Sequence, residues 1–157
     1  MAAMLLELVV ATVMVLLTVM IHGAGLLLLG RLLAMRERAA GRTRIAPLSV
    51  EGAVVATIAA LGLLVLHGIE IWLYAALYRG IGAIETVRDA VYFSTISYGA
   101  IGYSDAAIAP EWKLLGAIEG INGVLLLGWS IAFFVTAMTR FSAAMGAHRA
   151  QIGEPGG

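Results

Sequence analysis

The chain has no cysteine at all. Disulfides, thiolate metal sites and cysteine nucleophiles are therefore excluded, although compartment is not fixed by this alone. Charge is also scarce. Charged residues make up 13% of the 157 residues, and they cancel to a net charge of zero. No basic block is present that would suit nucleic acid. No serine–histidine–acid or clustered metal constellation of the kind an enzyme needs is apparent, so the chain is read as a non-enzyme with no cofactor. Arginines do not recur every third residue through any apolar stretch, which removes a voltage-sensing helix. No internal repeat or low-complexity block is visible.

What is abundant is apolar surface. Hydrophobic residues account for 61% of the sequence, and mean hydropathy is +0.96. A water-soluble domain needs more polar surface than that, so the fold class expected is an all-α integral membrane protein. Three stretches exceed the roughly 20 residues that cross a bilayer: about Met4 to Gly30, Val50 to Tyr78 and Trp112 to Thr139. The first is no cleavable signal: no Lys or Arg precedes it, Glu7 interrupts it, and it is too long.

Between the first two stretches runs RLLAMRERAAGRTR, with Arg31, Arg36, Arg38, Arg42 and Arg44 against Glu37. A short loop this rich in arginine stays in the cytoplasm. The N-terminus is then outside and the third span ends inside, where Arg140 and Arg149 follow it. Residues 79–111 fall on the outer side. The organisation expected is a first transmembrane helix over 1–34, an Arg-rich cytoplasmic loop over 35–49, a pore-forming region over 50–142 and a short cytoplasmic tail over 143–157, with no regulatory domain beyond. The tail, GAHRAQIGEPGG, is expected to be disordered.

The outer segment is not an ordinary loop. TVRDAVYFSTISY has helical character, and Thr86 and Asp89 are spaced as a capping pair. It is too short to span. TISYGAIGYSD follows and overlaps its end, with two glycines, two tyrosines, three hydroxyl residues and an acid. A short helix and a glycine-bearing strand that enter and leave on one side make a re-entrant loop. Such backbone survives at membrane depth only where protein buries it or water bathes it. Rings of backbone carbonyls replace an ion's hydration shell without burying net charge. Carbonyls aimed at one axis need glycine's dihedral freedom, and several chains must meet to surround an ion.

AVYFSTISYGAIGYSD, Ala90 to Asp105, resembles the pore helix and selectivity filter of the potassium-channel pore-domain superfamily, whose filter reads T-V-G-Y-G-D. The alignment needs no gap. The resemblance extends from about Val50 to Arg140 and leaves the first helix as an addition to a two-helix pore. It implies an outer helix over 50–78, a pore helix over 86–98, a filter over 100–105 and an inner helix over 112–140. The filter residues would be Ala100, Ile101, Gly102, Tyr103 and Ser104. Tyr92 and Phe93 take the place of the two aromatics of the pore helix, and Tyr92 would donate a hydrogen bond to Asp105.

It further implies passive cation conduction by a homotetramer in a lipid bilayer, in a bacterial plasma membrane. The permeant ion would be K⁺ or another monovalent cation, and no metal is expected beyond it. Two positions depart from the pattern: the filter threonine is Ala100, and the second glycine is Ser104. A left-handed serine costs roughly 1–2 kcal/mol. Alternatives are a non-selective or proton-permeable pore and a non-conducting protein of channel fold.

Other polar residues interrupt the spans. Many members of the family carry an acid on the pore helix, where this chain has Ile96. Glu119 on the last span either supplies that carboxylate from the inner helix or makes an interhelical hydrogen bond. His67 and Glu70 share a helical face, being three apart. As a pair they are too few for a metal, and His22 is a third ligand only if the first helix lies alongside. Gly116, Gly120, Gly123 and Gly128 offer small faces for close packing or a bend. Trp72, Tyr74, Tyr78 and Trp112 are expected to form an aromatic belt at the outer boundary.

Overall fold

A computed structural model gives the fold; it describes residues 1–39, 50–102 and 108–152, and side chains except for 37–39 and 140–152. Every regular element in it is helical. α1 runs Ala2–Ala39, α2 Val50–Gly80, α3 Val87–Tyr98 and α4 Lys113–Ile152, the last entered through a 3₁₀ turn at Pro110–Trp112. Three of the helices are long and apolar enough to cross a membrane: Ala2–Arg36, Val50–Gly80 and Pro110–Thr139. At 1.5 Å per residue, the 31 residues of α2 span about 46 Å, more than a hydrocarbon core of about 30 Å.

Local chemistry sets the breaks. α2 stops where Gly82 takes φ 72°. The amide of Gly82 reaches the Arg79 carbonyl at 3.2 Å, and that of Ala83 reaches the Tyr78 carbonyl at 2.9 Å. That is a Schellman ending, which glycine enters without a Cβ penalty. α3 starts as the spacing of Thr86 and Asp89 indicates: the Asp89 amide donates to Thr86 Oγ1 at 3.0 Å, and Thr86 Oγ1 donates to Asp89 Oδ2 at 2.7 Å.

The chain divides into two compact units. One comprises 1–24 and 65–129, the other 25–64 and 130–157. In the second, Leu29 of α1 fills the space beside Gly62 of α2, where a Cβ would meet its methyl at 2.8 Å. The first unit holds all of α3. Its apolar core joins Ala11 and Met14 of α1, Tyr74 and Tyr78 of α2, Phe93 of α3 and Leu115 of α4.

This first unit is polar within and greasy without. Glu7, Thr18, His22, Glu70, Ser94, Ser97, Glu119 and Asn122 are all buried, whereas Leu5, Val9, Val13, Leu16, Met20 and Leu125 are exposed. Water would reverse that order. Where hydrocarbon is the solvent, polar groups gain by meeting one another inside.

Three expectations change. The outer segment contains no strand among its described residues; Ala100–Gly102 lack regular structure. The last helix does not end near residue 140 but continues to Ile152, through most of the segment read as a disordered tail. Tyr74 and Tyr78 do not belong to a boundary belt, because both are 0% exposed, while Trp72 is 58% exposed. Their hydroxyls are spent on buried partners. The polar side chains of α1 bond to α2 and α4 within the same unit. The Arg36–Arg44 loop lies mostly outside the described residues.

Candidate functional site

The site is built around α3. Its buried face carries Ala90, Phe93, Ser94, Ser97 and Tyr98, at the three- and four-residue spacing of one helical stripe. That stripe lies on the glycines of α4. A Cβ at Gly116 would meet the Phe93 ring at 2.8 Å, one at Gly120 the Ser97 carbonyl oxygen at 3.1 Å, and one at Gly123 the Tyr98 carbonyl oxygen at 2.1 Å. Gly128 has open space instead. Three of the four glycines therefore serve close packing, and the closest approach is at Gly123, against the end of α3.

Hydrogen bonds pin the same face. Ser97 Oγ donates to the Gly116 carbonyl at 2.5 Å. Glu119 is fully buried and accepts from Tyr78 on α2 at 2.5 Å and from Ser94 on α3 at 2.5 Å. Ser94 Oγ also lies 2.9 Å from the Ile71 carbonyl, so one hydroxyl links three helices. The Glu119 carboxyl thus joins α4 to α2 and α3 through interhelical hydrogen bonds, the second of the two arrangements the sequence offered for it.

α1 closes the assembly from behind. Glu7 Oε1 accepts the Leu115 amide at 3.0 Å; Leu115 is in the first turn of α4, where amides lack intrahelical partners and anions are favoured. Asn122 Nδ2 donates to Thr18 Oγ1 at 2.8 Å and to the Tyr74 hydroxyl at 3.3 Å. Asn122 Oδ1 is buried with no hydrogen-bond partner among the described residues.

At the end of α3 the backbone turns left-handed. The Ala100 amide reaches the Ser97 carbonyl at 2.9 Å and the Ile101 amide reaches the Ile96 carbonyl at 3.0 Å. This is again a Schellman ending, but here a non-glycine residue occupies the left-handed position, Ala100 at φ 51°. Such strain costs roughly 1–2 kcal/mol and needs surrounding structure to hold it. Gly102 follows at φ 102°. Ile101 is 74% exposed.

Of the filter residues read from the sequence, Ala100, Ile101 and Gly102 are therefore consecutive, exposed and backed by α3. Tyr103, Ser104 and Asp105 lie outside the described residues, as does the bond from Tyr92 to Asp105. Tyr92 projects from the face of α3 opposite the packed stripe and is 64% exposed. Past the loop, the Ala109 amide returns to the Ala83 carbonyl at 3.0 Å, closing the segment against the end of α2.

A second polar cluster lies under Tyr98. His22 of α1 donates from Nδ1 to Glu70 Oε1 at 2.9 Å, with both side chains fully buried. Tyr98 donates to Glu70 Oε2 and accepts from His67 Nδ1 at 2.8 Å. The adjacency of α1 and α2 that the sequence left open is thus present. Tyr98, Ser94, Ser97, Tyr78 and Glu7 were not singled out as site residues. Ser94 and Ser97 sit three apart on a short amphipathic helix, a signal that was available; partners dozens of residues away gave none.

Comparison with known proteins adds one match. The sequence model of a family described as an ion channel matches residues 54–140, from early in α2 to the last turns of the apolar part of α4. No curated protein matches the chain, and no solved structure does.

Proposed function

The chain belongs to the ion-channel family, its membership resting on residues 54–140, and from that premise we propose that it is the subunit of a tetrameric, potassium-channel-like cation pore. Four copies surround one axis. Ala100, Ile101, Gly102, Tyr103 and Ser104 of each turn backbone carbonyls toward it, and α4 lines the path beneath. Conduction is passive and the permeant ion is K⁺ or another monovalent cation. The chain sits in a bacterial plasma membrane with its N-terminus outside and the Arg-rich loop and C-terminus in the cytoplasm.

The observation that carries this reading is the mounting of α3. A helix of 12 residues, too short to span, is fixed by Ser94 and Ser97 to α2 and α4 and delivers two left-handed residues, Ala100 and Gly102, directly from its C-terminal end. A helix C-terminus bears partial negative charge and favours a cation beyond it. An ordinary outer loop needs neither the glycine bed nor the buried carboxyl beneath it. Exposed apolar residues on α4, including Ile121, Val124 and Leu125, suit contact with neighbouring subunits or lipid.

The test is reconstitution in liposomes with K⁺, Na⁺ and H⁺ gradients, together with the mass of the detergent-solubilised particle. The reading expects a tetramer and a cation flux that falls to zero at zero driving force. A monomer, or a tetramer that passes no cation, overturns it. Ser104 is the position at which selectivity is decided in this reading: Ser104→Gly raises K⁺ over Na⁺ permeability, read as a shift in bi-ionic reversal potential.

A further inference from the structure

The cluster below Tyr98 contains two of the three histidines of the chain and a carboxylate, all buried in a membrane-spanning bundle. The ligand atoms of His22, His67 and Glu70 lie within 4.8 Å of one another. We propose that these three side chains, with the Tyr98 hydroxyl as fourth donor, form a divalent-metal site of the zinc type that joins α1 to α2 beneath the filter.

The argument is geometric. Zinc binds histidine nitrogen and carboxylate oxygen at about 2.0–2.1 Å, almost always tetrahedrally in closed sites, so neighbouring ligand atoms stand roughly 3.3 Å apart. Three of the separations here are 2.9 Å from His22 Nδ1 to Glu70 Oε1, 3.4 Å from His67 Nδ1 to Glu70 Oε2 and 2.8 Å from His67 Nδ1 to the Tyr98 oxygen. An ion that enters displaces the hydrogen bonds it replaces, and the carboxylate, which meets His22 through Oε1 and His67 through Oε2, turns to present its donor oxygen. The imidazoles are tilted by 38° with centroids 5.2 Å apart, so both Nδ1 atoms approach the same carboxylate. Each ring can coordinate through Nδ1 with its proton on Nε2.

The donor set is chemically selective. Two imidazoles and two oxygens suit zinc and its first-row neighbours, whereas calcium and magnesium want more oxygens. The ligands come from three helices, so occupancy ties α1 into the support of α3. Tyr98 is the last residue of α3, two before the strained Ala100, so the site bears on the base of the filter.

The chain is favourable for a test. It has no cysteine, and His148 is the one histidine outside the cluster, so competing sites are few. The full-length protein, purified in detergent and stripped with chelator, is titrated with Zn²⁺ by calorimetry and with Co²⁺ by visible absorption. One ion per chain is expected, with the intense visible bands of four-coordinate cobalt. His22→Gln, His67→Gln and Glu70→Gln should each weaken binding at least tenfold, the scale of losing even an outer partner of a metal ligand, and Tyr98→Phe should alter the cobalt bands. His148→Gln should change nothing.

The wild-type measurements decide the matter even if a variant does not fold. Substoichiometric zinc, or only the weak spectrum of six-coordinate cobalt, overturns the proposal and leaves a hydrogen-bonded packing cluster. Folded variants that bind as wild type does so as well. Ion flux plays no part in these readouts, so they stand or fall separately from the channel assignment.

Discussion

Gly123→Ala is the sharpest test of how α3 is mounted. The added Cβ would stand 2.1 Å from the Tyr98 carbonyl oxygen, 2.8 Å from its carbon and 2.9 Å from the Tyr98 Cα. All three are backbone atoms, so no side-chain rotation relieves the clash. Ordinary contact begins at 3.4 Å, so the end of α3 and α4 must part by 1.3 Å along that line. Overpacking of this kind costs about 3 kcal/mol, the upper end of the usual range. Alanine returns about 1 kcal/mol of helix propensity over glycine. The net loss is then about 2 kcal/mol per chain, or a fall in Tm of roughly 4–8 °C for a protein of this size. The shift also falls on Tyr98, next to Gly99 and Ala100, so in the proposed pore carbonyls that must be positioned to within about 0.5 Å lose their register. Thermal unfolding in detergent and liposome flux are measured for Gly123→Ala beside Gly128→Ala, a position with nothing within 4 Å. Gly123→Ala should lose both stability and flux, and Gly128→Ala should keep both. If Gly123→Ala equals wild type in both, or if Gly128→Ala is as damaging, the close seating of α3 on α4 is wrong.

Three further outcomes follow from other residues. Glu119→Ala removes the buried acceptor of the Tyr78 and Ser94 hydroxyls, of which Ser94 keeps the Ile71 carbonyl, and should cost about 1–3 kcal/mol, with Glu119→Gln less severe; a Glu119→Ala protein that melts with wild type would refute that role. Ala100→Gly removes the Cβ from a left-handed residue at φ 51° and should raise stability by about 1 kcal/mol, whereas Ala100→Thr should lower it; the melting temperatures in the reverse order would contradict the left-handed turn. Single cysteines at Ala2 and Thr43, placed in a chain with none of its own, should label from opposite faces of the membrane with an impermeant maleimide, and labelling from one face would remove the orientation.

The sequence by itself determined the architecture. Hydropathy runs longer than a bilayer leave little choice but spanning helices, because backbone in hydrocarbon must satisfy its own hydrogen bonds. The family match from 54 to 140 covers the region in which the Ala90–Asp105 motif was recognised. The Thr86–Asp89 cap was legible because its partners are three residues apart, and local bonds depend on local spacing. The site's supports were not legible in this way. Glu119 meets Tyr78 and Ser94 across 41 and 25 residues, and Glu7 caps α4 across 108. No periodicity encodes such pairs; they exist because α1, α2 and α4 pack around α3. The tyrosines show the same limit. Tyr74 and Tyr78 looked like belt residues, since an amphipathic ring near a span's end suits an interface. Inside a bundle the same hydroxyl suits a buried carboxyl or amide better, and only the packing of the helices decided between them. The strain at Ala100 was equally invisible, because a left-handed alanine has no sequence signature: it is imposed by the contacts that end α3.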